Sequence, residues 1–92
     1  MDQPNKHTIN DELDYIYNNG SSRYTFDRAK RRFDSLSKIL KKLLSTYEYN
    51  NLSDALLWID PNYPNTDLAS YHYDNFTTVI NEIKNKIGKC EL

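Results

Sequence analysis

The feature that most constrains this chain is a nearly unbroken series of apolar residues, three or four positions apart, over residues 26–47. The series consists of Phe26, Ala29, Phe33, Leu36, Ile39, Leu40, Leu43, Leu44 and Tyr47. An α-helix has 3.6 residues per turn, so residues at these intervals form one apolar stripe about 30 Å long. The pattern therefore predicts a long amphipathic helix over 26–47, which must bury its stripe against other elements.

Three further segments repeat apolar residues with the helical period, and they are predicted as helices over residues 9–19, 52–59 and 66–87. Gly20 and Gly88 follow the first and the last of them, where glycine commonly ends a helix. Pro61 ends the third, because the residue before a proline is pushed out of the helical conformation. This third segment is apolar nearly all round, with Leu57 and Trp58 widening its apolar arc, which is typical of a buried helix.

The composition agrees with a small helical fold. The 92 residues include only two Gly and three Pro, too few turn residues for a β-sandwich. Only 38% of the residues are hydrophobic, but aromatic residues make up 13%, and each can bury a large area. Because the connections are short, neighbouring helices are expected to be antiparallel. We therefore predict an all-α fold, a small antiparallel four-helix bundle that forms a single domain over residues 1–92.

The residues that usually carry chemistry are few and scattered. His7 lies in a polar N-terminal segment, and His72 lies near the inner stripe of the last predicted helix. Cys90 is the only cysteine, and no His-x-x-x-His, Glu-x-x-His or Cys-x-x-Cys spacing is present. The sequence therefore indicates no catalytic residue, no metal ligand and no cofactor, and it favours a protein that acts by binding.

The expected location is the cytoplasm. The first six residues lack the basic start and the apolar run of a signal peptide. The longest uninterrupted apolar run covers residues 55–59, which is far too short to span a bilayer, so no transmembrane segment is predicted.

Charge is distributed unevenly along the chain. Residues 23–42 contain eight cations and two acids, a balance of +6, whereas the rest contains four cations and eleven acids, a balance of −7. Together these give the net charge of −1. Three interpretations stay open: cations that are solvated or paired with neighbouring helices, a phosphate-binding patch for nucleic acid, and a docking face for a protein or a membrane.

Two groups of residues are the candidates for contact with a partner. The candidate basic docking face consists of Arg28, Arg31, Arg32, Lys38 and Lys42. The candidate aromatic contacts are Trp58, Tyr63, Tyr71 and Tyr73, since aromatic residues with a polar tip are enriched at interfaces.

The order of the predicted helices resembles that of the immunity proteins of class IIa (pediocin-like) bacteriocins. The resemblance covers residues 9–88: a short acidic first helix, a long second helix from Tyr24 through Leu44, a short apolar third helix, and a last helix that ends on Ile-Gly. It rests on layout and not on a diagnostic motif. Only four residues follow Gly88, fewer than in the C-terminal tail that this family uses for specificity.

The resemblance implies a cytosolic antiparallel four-helix bundle that protects its producer by recognising the bacteriocin-occupied mannose phosphotransferase receptor from the cytoplasmic side. Two other functions stay open: a phage- or plasmid-encoded inhibitor of a host enzyme or defence nuclease, and a small nucleic-acid-binding regulator. A homodimer is a further possibility, because a helix over 26–47 is long enough to leave part of its apolar stripe uncovered.

Overall fold

The computed structural model describes residues 6–62 and 70–89, which form four helices and no strand. The helices are α1 (Lys6–Gly20), α2 (Phe26–Leu43), α3 (Thr46–Ile59) and α4 (Ser70–Lys89). Each helix runs antiparallel to the next. In α2 and α3, for example, Phe33 stacks on Tyr49. Phe26, which is earlier in α2, lines one cleft with Leu57, which is later in α3, so the two helices run in opposite directions. The all-α four-helix bundle predicted from the sequence is confirmed.

A single apolar core holds the four helices together. In the part of the chain that the structure describes, no polar or charged residue is buried. The buried hydrophobic residues are Ile9, Leu13, Ile16, Phe26, Ala29, Phe33, Leu36, Leu40, Leu44, Leu52, Ala55, Leu56, Ile59, Phe76, Ile80, Ile83 and Ile87. These come from the stripes read in the sequence, because helical periodicity determines which residues share a face. The apolar stripe of α2 is covered within this one chain.

The boundary between the second and third helices differs from the prediction. The prediction of one helix over 26–47 is wrong, because α2 ends at Leu43, and Leu44 is extended with φ −111° and ψ 151°. The prediction that the third helix begins at residue 52 is also wrong, since α3 begins at Thr46. The two helices have 18 and 14 residues. They are therefore closer in length than the long second helix and the short third helix on which the family resemblance rests.

A capping box causes this early break. The backbone N–H of Glu48 donates to the Ser45 hydroxyl at 3.1 Å, and the backbone N–H of Ser45 donates to the Glu48 carboxylate at 2.8 Å. These bonds satisfy two backbone donors at the start of α3 that would otherwise have no partner. Ser45-Thr46-Tyr47-Glu48 is therefore the start of a new helix and not the continuation of α2.

Gly20 has a packing role and not the turn role predicted for it. It is the last residue of α1, and neither Gly20 nor Gly88 has a positive φ. A Cβ at Gly20 would lie 3.1 Å from the Phe76 ring and 3.5 Å from the Cβ of Ala29. The missing side chain thus lets α1, α2 and α4 approach closely. Beside it, the Thr25 hydroxyl donates to the backbone oxygen of Asn19 at 2.9 Å, and so ties the start of α2 to the end of α1.

In residues 6–62 and 70–89, three ion pairs join the helices at the edges of the core. Arg32 donates to Glu12, Lys84 to Asp14 and Lys86 to Glu48, which link α2 to α1, α4 to α1 and α4 to α3. The hydrogen bond from Lys86 is the main reason that the pKa of Glu48 lies below its ordinary value, and the Ser45 backbone N–H adds to this effect. Among the described residues, no helix is long and apolar enough to cross a membrane.

Replacing Ser45 by alanine should destabilise the bundle by about 1 kcal/mol, the usual loss for an N-cap serine. For a domain of this size, that corresponds to a decrease of roughly 5 °C in the melting temperature. Ser35→Ala is the matched control, because Ser35 lies on an exposed face of α2 and its hydroxyl bonds only to its own helix. Equal melting temperatures for the two variants would show that the capping box does not stabilise the break.

Replacing Gly20 by alanine should destabilise the protein by about 1 kcal/mol, because the Phe76 ring must move to admit the new methyl group. Gly88→Ala should be neutral or stabilising by less than about 1 kcal/mol, since among the described residues its Cβ would meet Asn10 alone, at 4.0 Å, and alanine favours the helix. Chemical denaturation of both variants measures the difference. A Gly20→Ala variant as stable as Gly88→Ala would contradict the close packing.

Candidate docking surfaces

Four of the five candidate cations lie on the outward face of α2. The four exposed cations are Arg28, Arg31, Lys38 and Lys42, and Ser35, which is also exposed, lies between Arg31 and Lys38. The spacing of three, four, three and four residues puts these five side chains in one row along about 21 Å of helix. This row is called the basic stripe below. In residues 6–62 and 70–89, none of its four cations makes an ion pair.

The stripe faces outward because the opposite side of α2 is buried. Phe26, Phe33 and Leu40 pack in the core, about half a helical turn away from Arg31 and Lys38. The two acids of α2, Asp27 and Asp34, are exposed and border the stripe along one edge. Asp27 accepts a weak hydrogen bond from Asn62, at 3.4 Å.

Arg32 belongs to a different environment from the other four candidates. It donates to Glu12 of α1, and its guanidinium lies 4.4 Å from the centre of the Tyr15 ring. The hydrogen bond to Glu12 is the main cause of a pKa above the ordinary value for an arginine. Arg32 therefore acts as a contact between α1 and α2, which matches the interpretation of paired cations for this one residue.

The aromatic candidates also lie in different environments. The Trp58 ring stacks on His72 with centres 5.2 Å apart and an angle of 5° between their planes. The Tyr71 ring lies 4.1 Å from the same imidazole. Tyr73 is half-buried against the core. Tyr63 lies outside the described residues, as do the side chain of His7 and Cys90.

The prediction that Leu57 and Trp58 are buried is wrong. Their side chains are 38% and 47% exposed, because the core contacts only one side of α3, through residues such as Leu52 and Ile59. The apolar arc of this helix is thus wider than the face that the bundle covers. Part of it remains at the surface, where a partner can reach it.

An open groove of about 330 Å³ lies between α3 and α4. Trp58 is in its wall together with acids and amides that are not among the predicted contact residues. The lining residues are Tyr47, Asn51, Asp54, Ala55, Trp58, Asn75, Thr78, Val79 and Glu82. The signal that could have revealed them is the spacing of residues 47, 51, 54 and 58, which follows the helical period. It was hidden because residue 47 was assigned to the preceding helix.

The described side chains do not form a metal centre, and the candidate features are surfaces. Residues 6–62 and 70–89 contain no group of three or more His, Cys, Asp or Glu residues that could hold a metal ion. His72, the histidine whose side chain is described, packs against aromatic rings. What the structure provides is a row of cations on α2 and a polar, partly aromatic groove on α3 and α4.

Comparison of the chain with protein-family models, with curated proteins and with solved structures finds no match.

Arg32→Ala should destabilise the protein by about 1 kcal/mol, since it removes a partly exposed ion pair and a cation–π contact. The control is Arg31→Ala, which should change stability by less than about 0.5 kcal/mol because Arg31 is exposed and makes no ion pair in the described part of the chain. Thermal unfolding of the two variants tests whether Arg32 contributes to stability and Arg31 does not. Equal losses of stability would contradict it.

Proposed function

We propose that this chain is a non-catalytic, cytoplasmic binding protein that docks the basic stripe of α2 on an acidic surface of a protein partner. The observation that carries the proposal is the row of four exposed cations, none of which is paired within the described residues. Lys84 and Lys86, by contrast, are paired with acids of neighbouring helices. The stripe therefore places four unpaired cations along one line of the described surface.

A protein partner fits this row better than a nucleic acid does. The chain has a net charge of −1, whereas nucleic-acid-binding domains are usually basic overall. Asp27 and Asp34 border the stripe and would repel a continuous phosphate backbone along that edge. Acidic side chains on a protein can instead be spaced to meet the four cations and avoid the two acids.

The specific role that we propose is immunity to a pediocin-like bacteriocin. It is supported by the four-helix architecture, by the acidic first helix and by the order of the elements, which resemble those of that family in outline. In this role the acidic surface would belong to the bacteriocin receptor complex on its cytoplasmic side. Helix α2 would supply the contact, and no chemical step would be needed.

The test is survival of a bacteriocin-sensitive Gram-positive host that expresses the chain and is challenged with a panel of pediocin-like peptides. The wild type should protect against one or two peptides of the panel. A variant with Arg31→Gln, Lys38→Gln and Lys42→Gln should protect only up to a bacteriocin concentration about tenfold lower than the wild type does. The reason is that three exposed charge pairs together contribute on the order of 1–2 kcal/mol.

The matched control carries Arg23→Gln, Lys30→Gln and Lys89→Gln. These three residues are also exposed, they lie outside the stripe, and their loss changes the net charge by the same amount. The control should protect as the wild type does. Equal loss in both triple variants would show that only net charge matters and would contradict docking through the stripe.

Uniform sensitivity in a host that holds abundant, folded protein would contradict the immunity role. Purification with its bound partners would then separate the remaining possibilities. A stoichiometric soluble partner that the stripe variant fails to retain would identify an inhibitor. Binding to duplex DNA that weakens steeply with salt, and that needs the stripe, would identify a nucleic-acid-binding regulator.

A further inference from the structure

The groove between α3 and α4 is built from two parallel rows of side chains. On α3, Tyr47, Asn51, Asp54 and Trp58 follow one another at intervals of four, three and four residues. These intervals correspond to about 16 Å, or three turns, along one line of the helix. The wall therefore has the length and the period of a helix surface that a third helix could pack against.

The α4 wall has the same period, and the floor is apolar. Asn75, Thr78 and Glu82 lie at intervals of three and four residues and face the row on α3. Ala55 and Val79 form the floor between the rows. Ala55 is buried and Val79 is half-buried against the core, so the floor is a shallow apolar seat with room for a side chain above it.

The charge of the groove is negative and uncompensated. Asp54 and Glu82 are exposed, and neither makes an ion pair in the part of the chain that the structure describes. Glu48, close to the same helix interface, is paired with Lys86. The chain thus balances the acid at the edge of this interface and leaves the two acids in the groove available to a cation from outside.

These features select a basic amphipathic helix as the occupant. Its lysine or arginine side chains would meet Asp54 and Glu82, and an apolar side chain between them would cover the floor at Ala55 and Val79. A further cation could lie over the exposed ring of Tyr47. A neutral helix would leave the two carboxylates without a counter-charge, and an acidic helix would also repel them.

We propose that the groove lined by Asp54, Trp58 and Glu82 is a second docking site, separate from the basic stripe, and that it binds a basic amphipathic α-helix of a partner protein. The helix lies along the groove for about three turns and contributes cations at intervals of three and four residues. This site is independent of the proposed function, because none of its residues belongs to the stripe.

The experiment uses a displayed library of 15-residue peptides with an alanine-rich helical framework. The residues of one face are randomised among Lys, Glu, Gln and Leu. Selection on the full chain should enrich peptides in which lysines at intervals of three and four flank a leucine. Absence of enrichment, or enrichment of peptides without lysine, would overturn the proposal.

The most enriched peptide is then synthesised and titrated against the chain. Trp58 is the only tryptophan, so its fluorescence reports on the groove directly. A variant with Asp54→Asn and Glu82→Gln keeps the shape of both side chains and removes their charge. Its affinity for the peptide should fall about fivefold to tenfold, the effect expected from two exposed charge pairs.

The matched control carries Asp34→Asn and Asp74→Asn. Both residues are exposed and lie outside the groove, and the change in net charge is the same. Its affinity should stay within about twofold of the wild type. Equal affinities for the wild type and the groove variant would overturn the proposal, as would a homodimer of the free chain that dissociates when Asp54 and Glu82 are replaced.

Discussion

The corner at Ser45 and Glu48 determines the arrangement of the other elements. The reciprocal hydrogen bonds of the capping box end α2 after 18 residues and start α3 in the opposite direction. Glu48 also accepts a hydrogen bond from Lys86, so the same carboxylate that starts α3 attaches it to α4. Without this corner, residues 26–47 could continue as one helix, and α3 would be too short to form a groove with α4. The groove therefore depends on a contact that contributes only about 1 kcal/mol.

The core of the fold could be predicted from the sequence, because burial follows the helical period. The stripe from Phe26 to Leu40 and the stripe from Phe76 to Ile87 are buried as expected. The boundary near residue 44 could not be read from periodicity, since Leu43, Leu44 and Tyr47 continue the apolar pattern of α2 by coincidence. Leu44 is buried although its backbone is extended and not helical, and Tyr47 belongs to α3 and is 75% exposed. The Ser-x-x-Glu signal was present in the sequence, but a longer apolar pattern concealed it.

The candidate surfaces were harder to predict because their properties depend on the neighbouring helix. Arg31 and Arg32 are adjacent and chemically identical, yet one is exposed on the stripe and the other binds Glu12 across the α1–α2 interface. Only the packing of α1 against α2 distinguishes them. The groove was missed for a related reason, since Asp54 and Glu82 are 28 positions apart and come together only when α3 and α4 pair. Trp58 was identified from its residue type alone, and its exposure was predicted wrongly.

The basic stripe and the acidic groove have opposite charges and can attract one copy of the chain to another. The stripe of a second copy has the charge and the spacing to lie along the groove. However, its row contains Arg28, Arg31, Ser35, Lys38 and Lys42 and has no apolar side chain to cover Ala55 and Val79. Such a contact would gain only exposed charge pairs, each worth about 0.2–1 kcal/mol, against an ordering cost of several kcal/mol. It would also join unlike surfaces, and head-to-tail contacts of this kind give rings or open chains of molecules. A basic helix with an apolar side chain adds the buried area that the stripe lacks, and this is why the groove favours a different partner over a second copy.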